Sequence, residues 1–282
     1  MPDAVLILYH GGRCLDGFGA AWSAWRHFRR TGESVTWVAA SHGDAPPDAT
    51  GKRVWLLDYC LPRDTLRRLC REAKQVTVVD HHVSALEDTR GLDAECPNLR
   101  LEFDLTHSGA VLAWQHFHTE PVPGLLRHIE DRDLWNWAIE GSRDTTAALM
   151  ARPYDFAEWD ALFDDPEAPA RLRAEGEAIN RYRQQMIDHY RKRAVMGRVA
   201  GYRVPVVNSP VEIHSELLGE LAKGHPFAAG YLDRDGRRGW SLRSTAAGLN
   251  VAEIARRFGG GGHPRAAGFS TPLGDDNFNV DP

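Results

Sequence analysis

The residues best suited to chemistry are histidines and aspartates standing just after short apolar runs. His10 follows residues 5–9, Asp58 follows the run that ends at Leu57, and Asp80-His81-His82 follows the run that ends at Val79. Asp16 lies a little beyond His10, in a loop punctuated by Gly11 and Gly12. Carboxylates and imidazoles gathered without a thiolate cluster suit ions such as Mn2+ or Mg2+. Two such ions about 3.5–4 Å apart clamp a phosphoryl group and acidify a water between them. A carboxylate must bridge them, and Asp58 is the natural bridge. Taken singly, Asp58 would serve equally as a cap before the helix expected after Pro62, and His10 as an ordinary core-edge histidine. Several such strand endings in one chain shift the balance to metal.

These side chains meet only if their strands lie side by side. Residues 35–39, 53–59 and 75–80 are β-rich and alternate with helix-like or loop stretches, which predicts a parallel sheet flanked by helices. In such open sheets ligands gather beyond the carboxyl ends of the strands. Further helices are expected over 108–118 and 124–135. The polar stretch 168–194, with Leu172, Ile179, Met186 and Ile187 spaced along it, reads as a long helix. A smaller α+β unit follows. It has a strand over 202–207, a helix over 212–223, and a hairpin of 227–232 with 239–243 around Asp235-Gly236. Asn250 caps a last helix, with Glu253 completing a capping-box pattern. The fold class expected is therefore α/β: a parallel-sheet domain over 1–165, a helical linker over 166–195, a second domain over 196–272 and a frayed tail over 273–282.

Composition narrows the classes. The chain has 282 residues, 43% hydrophobic and 26% charged, with a formal net charge of -5. No apolar run approaches the roughly 20 residues that span a bilayer. Met1-Pro2-Asp3 lacks the basic start of a secretory signal, which points to the cytoplasm and to no membrane partner. Cys14, Cys60, Cys70 and Cys96 form no CxxC pair and are expected to be free thiols. The net charge disfavours non-specific wrapping of long nucleic acid but permits short anionic substrates. No G-x-S-x-G elbow supports a serine hydrolase.

Five motifs complete the pattern: His10-Gly11-Gly12-Arg13-Cys14-Leu15-Asp16-Gly17, the single Asp58, Asp80-His81-His82, Ile129-Glu130-Asp131-Arg132-Asp133, and Gly260-Gly261-Gly262-His263-Pro264-Arg265-Ala266-Ala267-Gly268. Through them nearly the whole chain resembles the DHH phosphoesterases that carry the DHH-associated C-terminal domain. That family includes RecJ-type exonucleases, short-oligoribonucleases and cyclic-dinucleotide phosphodiesterases. The resemblance implies two Mn2+ ions, with Mg2+ or Co2+ as substitutes. His10 and Asp58 would hold the first, and Asp16, Asp58, His81 and Asp131 the second. Asp133 competes with Asp131 for the last position. His82 would touch the scissile phosphate or the leaving oxygen, and Asp80 would orient an imidazole. The departure is Cys14, where the family usually has an aspartate ligand of the first ion. A thiolate there would favour a softer ion, or the site would lack a ligand.

On the substrate side, the glycines around Gly260, Gly261 and Gly262 offer backbone N–H groups for an anion. They would equally suit a helix C-terminus. His263 and Arg265 add phosphate-binding character, and Arg243 followed by Ser244 resembles the family's second phosphate contact. The second domain would then hold one end of a short substrate while the first cleaves the next phosphodiester. Arg181, Arg183, Arg191 and Arg193 could line the cleft, and Trp135 and Trp137 could stack a base or pack over the metal site. The function expected is hydrolysis of short oligonucleotides or linear dinucleotides to mononucleotides. A polyphosphatase or pyrophosphatase of the same superfamily and a nucleotide sensor with a weakened metal site stay open, as does a homodimer.

Overall fold

A computed structural model describes residues 4–41, 43–275 and 278–280. The chain divides into two compact units, Met1–Asn180 and Arg181–Pro282.

In the first unit, strands β1 (Val5–His10), β2 (Val35–Ala40), β3 (Arg53–Leu57), β4 (Gln75–Asp80) and β5 (Leu99–Phe103) form one sheet in the order β2-β1-β3-β4-β5. Every pairing in it is parallel. Alternation along each strand sends side chains to opposite faces. Leu6, Leu8, Val54, Leu56, Val76 and Val78 enter one core. Val5, Ile7, Trp55, Leu57 and Val79 enter the other. Helices α1 (Leu15–Thr31), α2 (Arg63–Glu72), α3 (Val83–Thr89), α4 (Leu92–Glu95) and α5 (Gly109–Phe117) follow or separate the strands. A helical layer continues with α6 (Gly124–Asp133), α7 (Ser142–Met150) and α8 (Phe156–Asp164). Helix α9 (Ala168–Arg191) contributes Leu172 and Ile179 to the core of the first unit, and Met186 and Ile187 to that of the second.

The second unit is a seven-stranded mixed sheet in the order β10-β11-β9-β8-β7-β6-β12. Its strands are β6 (Val195–Val199), β7 (Tyr202–Asn208), β8 (Ala228–Arg234), β9 (Arg237–Arg243), β10 (Gly261–His263), β11 (Ala266–Pro272) and β12 (Phe278–Val280), with helices α10 (His214–Leu221) and α11 (Val251–Arg256). The α/β fold class expected from the alternating pattern is the one observed. The β8–β9 hairpin turns at Asp235 and Gly236, both at positive φ. Asn250 caps α11 through the Ala252 N–H, but Glu253 is bonded by the Asn250 side chain, not by its backbone.

Three local readings differ. The segment read as a frayed tail contains β12, which pairs with β6; residues 276, 277, 281 and 282 lie outside the described residues. The glycine run, read as an anion-holding concavity or a helix C-terminus, leaves α11 through a turn at Gly259 and enters strand β10 at Gly261. Strands β5 and β6 are also not among the expected elements, although Leu99, Leu101 and Phe103 alternate with Arg100 and Glu102 along β5. No helix among the described residues is long and apolar enough to cross a membrane.

Candidate metal centre

Strand register brings the ligands together. Tyr9, Leu57 and Val79 lie in one row across β1, β3 and β4. The next residues, His10, Asp58 and Asp80, therefore emerge side by side at the carboxyl edge. The strand order reverses between β1 and β3, which is where open α/β sheets place their ligands. Asp58 turns out of its strand at φ 50, in the left-handed region that aspartate tolerates better than most residues. Its N–H still donates to Val79 O at 2.9 Å.

Two glycines permit the approach of the helices. A β-carbon at Gly17 would lie 2.2 Å from His10 O, so only glycine lets α1 return so close to β1. One at Gly109 would lie 2.4 Å from Asp58 Cβ. The first amides of α5 then fix Asp16, with Gly109 N–H donating to Oδ2 at 2.7 Å and Ala110 N–H to Oδ1 at 3.0 Å. A carboxylate at a helix N-terminus is favourably placed.

The resulting donor sets share Asp58. On one side, Asp58 Oδ2 lies 3.4 Å from His10 Nδ1 and accepts from Cys14 Sγ at 3.6 Å. On the other, Asp58 Oδ1 lies 3.2 Å from His81 Nε2. His81 Nε2 is also 3.5 Å from Asp133 Oδ2 and 3.8 Å from Asp16 Oδ2. The donor atoms of His10, Cys14 and Asp58 all lie within 4.8 Å of one another, as do those of Asp16, His81 and Asp133. Asp58, Asp80, His81 and His82 form a third such group. Asp80 Oδ1 takes three contacts, from His82 Nδ1 at 2.7 Å and from the N–H groups of His81 and His82 at 2.7 and 3.2 Å. It thus holds the His82 imidazole in place.

The electrostatics suit a cation. Burial raises the Asp16 carboxyl well above its ordinary range, and the Asp58 and Asp133 charges raise it further. Asp133 is raised for the same reasons, burial and then Asp58. Burial and the same three carboxylates push the Cys14 thiol up. For His81, burial is outweighed by Asp58, Asp16 and Asp133, which hold the imidazole at about 10. His82, likewise buried but bonded to Asp80, stands at about 9. Asp80 Oδ2 is buried without a hydrogen bond, and Asp58 Oδ1 has His81 Nε2 at 3.2 Å as its neighbour. Buried polar atoms ordinarily find partners, and crowded carboxylates with an unpartnered oxygen are what a divalent ion satisfies. The donor set fits one.

A cavity of about 480 Å³ opens beside His10 and Cys14, walled by Tyr9, Phe18, Arg13 and Tyr154. Phe18 and Tyr154 stack at 5.0 Å between centroids, and Tyr154 OH donates to Arg13 O at 2.9 Å.

No protein-family model matches the chain. Among curated proteins it is 24% identical over 287 residues to the uncharacterized protein R106 of Acanthamoeba polyphaga mimivirus, an alignment spanning 94% of this chain and 67% of that one. Among solved structures it superposes on the DHH domain of a protein from a family of ribosomal proteins. The TM-score there is 0.61 at 10% identity, covering 99% of this chain and 83% of that one. RecJ from Thermus thermophilus in complex with Mn2+ matches at TM-score 0.51 and 16% identity, with 95% of this chain over 49% of that one. An exonuclease RecJ bound to manganese gives 0.50 at 17% identity, with 95% and 86% covered. The chain has the fold of the DHH phosphoesterases.

Within that DHH fold, the structure brings Asp133, the competitor of Asp131, to the cluster. Asp131 faces away from the cluster, its carboxylate accepting from the N–H groups of Ala138 at 2.8 Å and Ile139 at 3.1 Å. Burial would raise it, but those bonds and Ser142 hold it below the ordinary carboxylate range. Asp133 is the residue brought to His81. The signal was present in the sequence, since Asp133 continues the i, i+4 stripe of Leu125 and Ile129. Glu130, unremarked beforehand, accepts from Ser108 N–H at 3.2 Å and contacts His107 Nδ1 at 2.8 Å, tying α6 to the start of α5.

The second unit gathers its own residues. Arg243 is opposite Ala266, which is opposite His263, so Arg243 and His263 project from one row to the same face. Arg265 is exposed, and its carbonyl accepts from Ser244 N–H at 3.0 Å. Part of the glycine N–H array is engaged within the second unit. Gly259 and Gly260 N–H donate to Arg256 O and Ala255 O, and Gly261 and Gly262 pair with β11. The arginines expected to line a cleft are partly committed, Arg183 to Glu216 at 2.9 Å and Arg191 to Glu220 at 3.2 Å. Trp135 is half exposed, while Trp137 lies under Arg143 at 4.0 Å.

Proposed function

We propose that the protein is a divalent-metal-dependent phosphodiesterase that cleaves short oligonucleotides or linear dinucleotides to mononucleotides. The observation that carries this reading is Asp58, whose two oxygens face two separate donor groups. Bound divalent ions would supply charge for the phosphoryl oxygens and a water acidified for attack. His10, Cys14 and Asp58 would hold the first ion, and Asp58, Asp16, His81 and Asp133 the second. His82, fixed by Asp80, is the candidate donor to the phosphate or the leaving oxygen. Arg243 and His263 are the candidate phosphate contacts of the second unit, where an arginine grips such a group bidentately.

The cavity beside His10 favours a nucleotide over polyphosphate, because its half-buried tyrosines, Tyr9 and Tyr154, offer ring surface that a phosphate chain cannot use. The test is Mn2+-dependent hydrolysis of 5′-phosphorylated dinucleotides, longer RNA, single-stranded DNA, cyclic dinucleotides and polyphosphate, with His81→Ala as control. Hydrolysis of the dinucleotide, abolished in the variant, is expected. Turnover of polyphosphate alone would make the protein a polyphosphatase. Tight dinucleotide binding with no turnover would make it a sensor.

A further inference from the structure

We propose that the two ion positions of this centre differ in kind, and that Cys14 makes the first one sulfur-ligated. The first position would then select a softer divalent ion such as Co2+, Fe2+ or Zn2+. The second, with oxygen and nitrogen donors only, would keep Mn2+ or Mg2+. This rests on the metal reading above but on no particular substrate.

Donor spacing is the main support. With metal–sulfur bonds of about 2.3 Å and metal–nitrogen or metal–oxygen bonds of about 2.0 Å, tetrahedral coordination separates sulfur from oxygen by about 3.5 Å and nitrogen from oxygen by about 3.3 Å. Cys14 Sγ lies 3.6 Å from Asp58 Oδ2, and His10 Nδ1 lies 3.4 Å from that same oxygen. Both distances to Asp58 already match one coordination sphere, and all three donors lie within 4.8 Å of one another.

The position of the sulfur is fixed by the fold. Cys14 is the N-cap of α1, and its Sγ accepts from Gly17 N–H at 3.4 Å. That geometry depends on Gly17, whose missing side chain lets the helix start against His10. Asp58, which the two donor groups share, is 2% exposed. Among the described residues the second set, Asp16, His81 and Asp133 with Asp58, contains no sulfur. Thiolate donors prefer softer ions, whereas carboxylates accept Mn2+ and Mg2+. Loading would form the metal–sulfur bond with release of the Sγ proton to water, and Asp58 Oδ2 would give up its contact with the thiol for one with the ion.

The test uses the full chain, freed of metal and titrated with Co2+. A thiolate-to-cobalt charge-transfer band in the near ultraviolet is expected in the wild type and absent in Cys14→Ser. The visible ligand-field bands of that variant should report cobalt still bound at the second position. Cys14→Asp should fold, bind Mn2+ at both positions and show no charge-transfer band. In the wild type, Co2+ should slow alkylation of Cys14 by about tenfold or more, the scale on which even an outer partner of a metal ligand acts. Buried Cys60, Cys70 and Cys96 serve as internal controls. Bound cobalt without a charge-transfer band, a band that persists in Cys14→Ser, or alkylation unaffected by bound cobalt would each overturn the proposal. Failure to bind any divalent ion would overturn it together with the metal reading, and is told apart by elemental analysis.

Discussion

Gly109 and Asp58 approach so closely that a β-carbon on the glycine would sit 2.4 Å from Cβ of the aspartate and 2.8 Å from its Oδ1. The first turn of α5 is thus pressed against the shared carboxylate while its amide holds Asp16. Alanine is the better helix former by roughly 0.8–1.0 kcal/mol in a helix interior, so Gly109→Ala should not fail for want of helix propensity. It should instead displace Asp58 or push α5 away. Mn2+ affinity measured by calorimetry is expected to fall by about tenfold to a hundredfold, as when a ligand loses its supporting partner. An unchanged affinity in a folded variant would show that Asp58 does not hold the ion.

Asp131 and Asp133 sit two residues apart on α6, which on a helix of 3.6 residues per turn places them on nearly opposite sides. They should separate cleanly on substitution. Asp133→Asn is expected to cut metal affinity while leaving the thermal midpoint almost unchanged. Asp131→Asn removes a charged acceptor from the Ala138 and Ile139 N–H groups. It should cost about 1–3 kcal/mol of stability with a smaller effect on metal binding. The reverse pattern, measured by urea unfolding and Mn2+ titration, would restore Asp131 as the ligand.

That pair also marks how far the sequence could be read. His10, Asp58 and Asp80 were legible because each follows an apolar run, and parallel pairing carries residues after such runs to one edge. Asp133 was harder because helix spacing shows only which residues share a side, not which side meets the cluster. The glycines from Gly260 to Gly262 read as an anion-holding run or a helix C-terminus because the need for them is tertiary. A β-carbon at Gly260 would lie 2.1 Å from Gly268 O, a closeness set by a strand that the local sequence does not reveal. Cys14 was legible as a departure, but its distance to Asp58 was not.

His214 gives a pH-dependent prediction for the second unit. Its imidazole is 2% exposed, Nε2 donates to Ser209 O at 2.9 Å, and Nδ1 has no partner. Burial lowers its pKa and nearby Arg243 adds to this, against the opposing pull of the Ser209 carbonyl and Glu212. The folded state therefore keeps the ring neutral below about pH 6.5, where the unfolded chain protonates it. Between the two pKa values the unfolded state binds more protons, so stability is lost as pH falls from about 6.5. His118 and His128 are also lowered, by burial, and add to the same slope. In His214→Gln the urea-unfolding free energy should fall less between about pH 7 and about pH 5.5 than in the wild type, a window that spans the ordinary histidine pKa. Equal slopes would refute the assignment.

Arg243 presents the opposite problem, a charge that burial disfavours. Its guanidinium donates to Ser215 Oγ at 3.0 Å and Leu242 O at 2.9 Å, but among the described residues no carboxylate pairs with it. Burial lowers its pKa, with Glu216 opposing from a distance; Glu216 itself is engaged by Arg183. A half-buried charge without a counter-ion carries part of the desolvation cost of a buried one, and a phosphate would relieve it. Arg243→Ala is therefore expected to leave the ligand-free protein as stable as the wild type, or more so. AMP at about a hundred times its dissociation constant should stabilise the wild type by about 2.7 kcal/mol, seen as a higher thermal midpoint. The same concentration should give the variant much less. An equal shift in both proteins would remove Arg243 from the phosphate site, and a large loss of stability in the ligand-free variant would make it a structural residue instead.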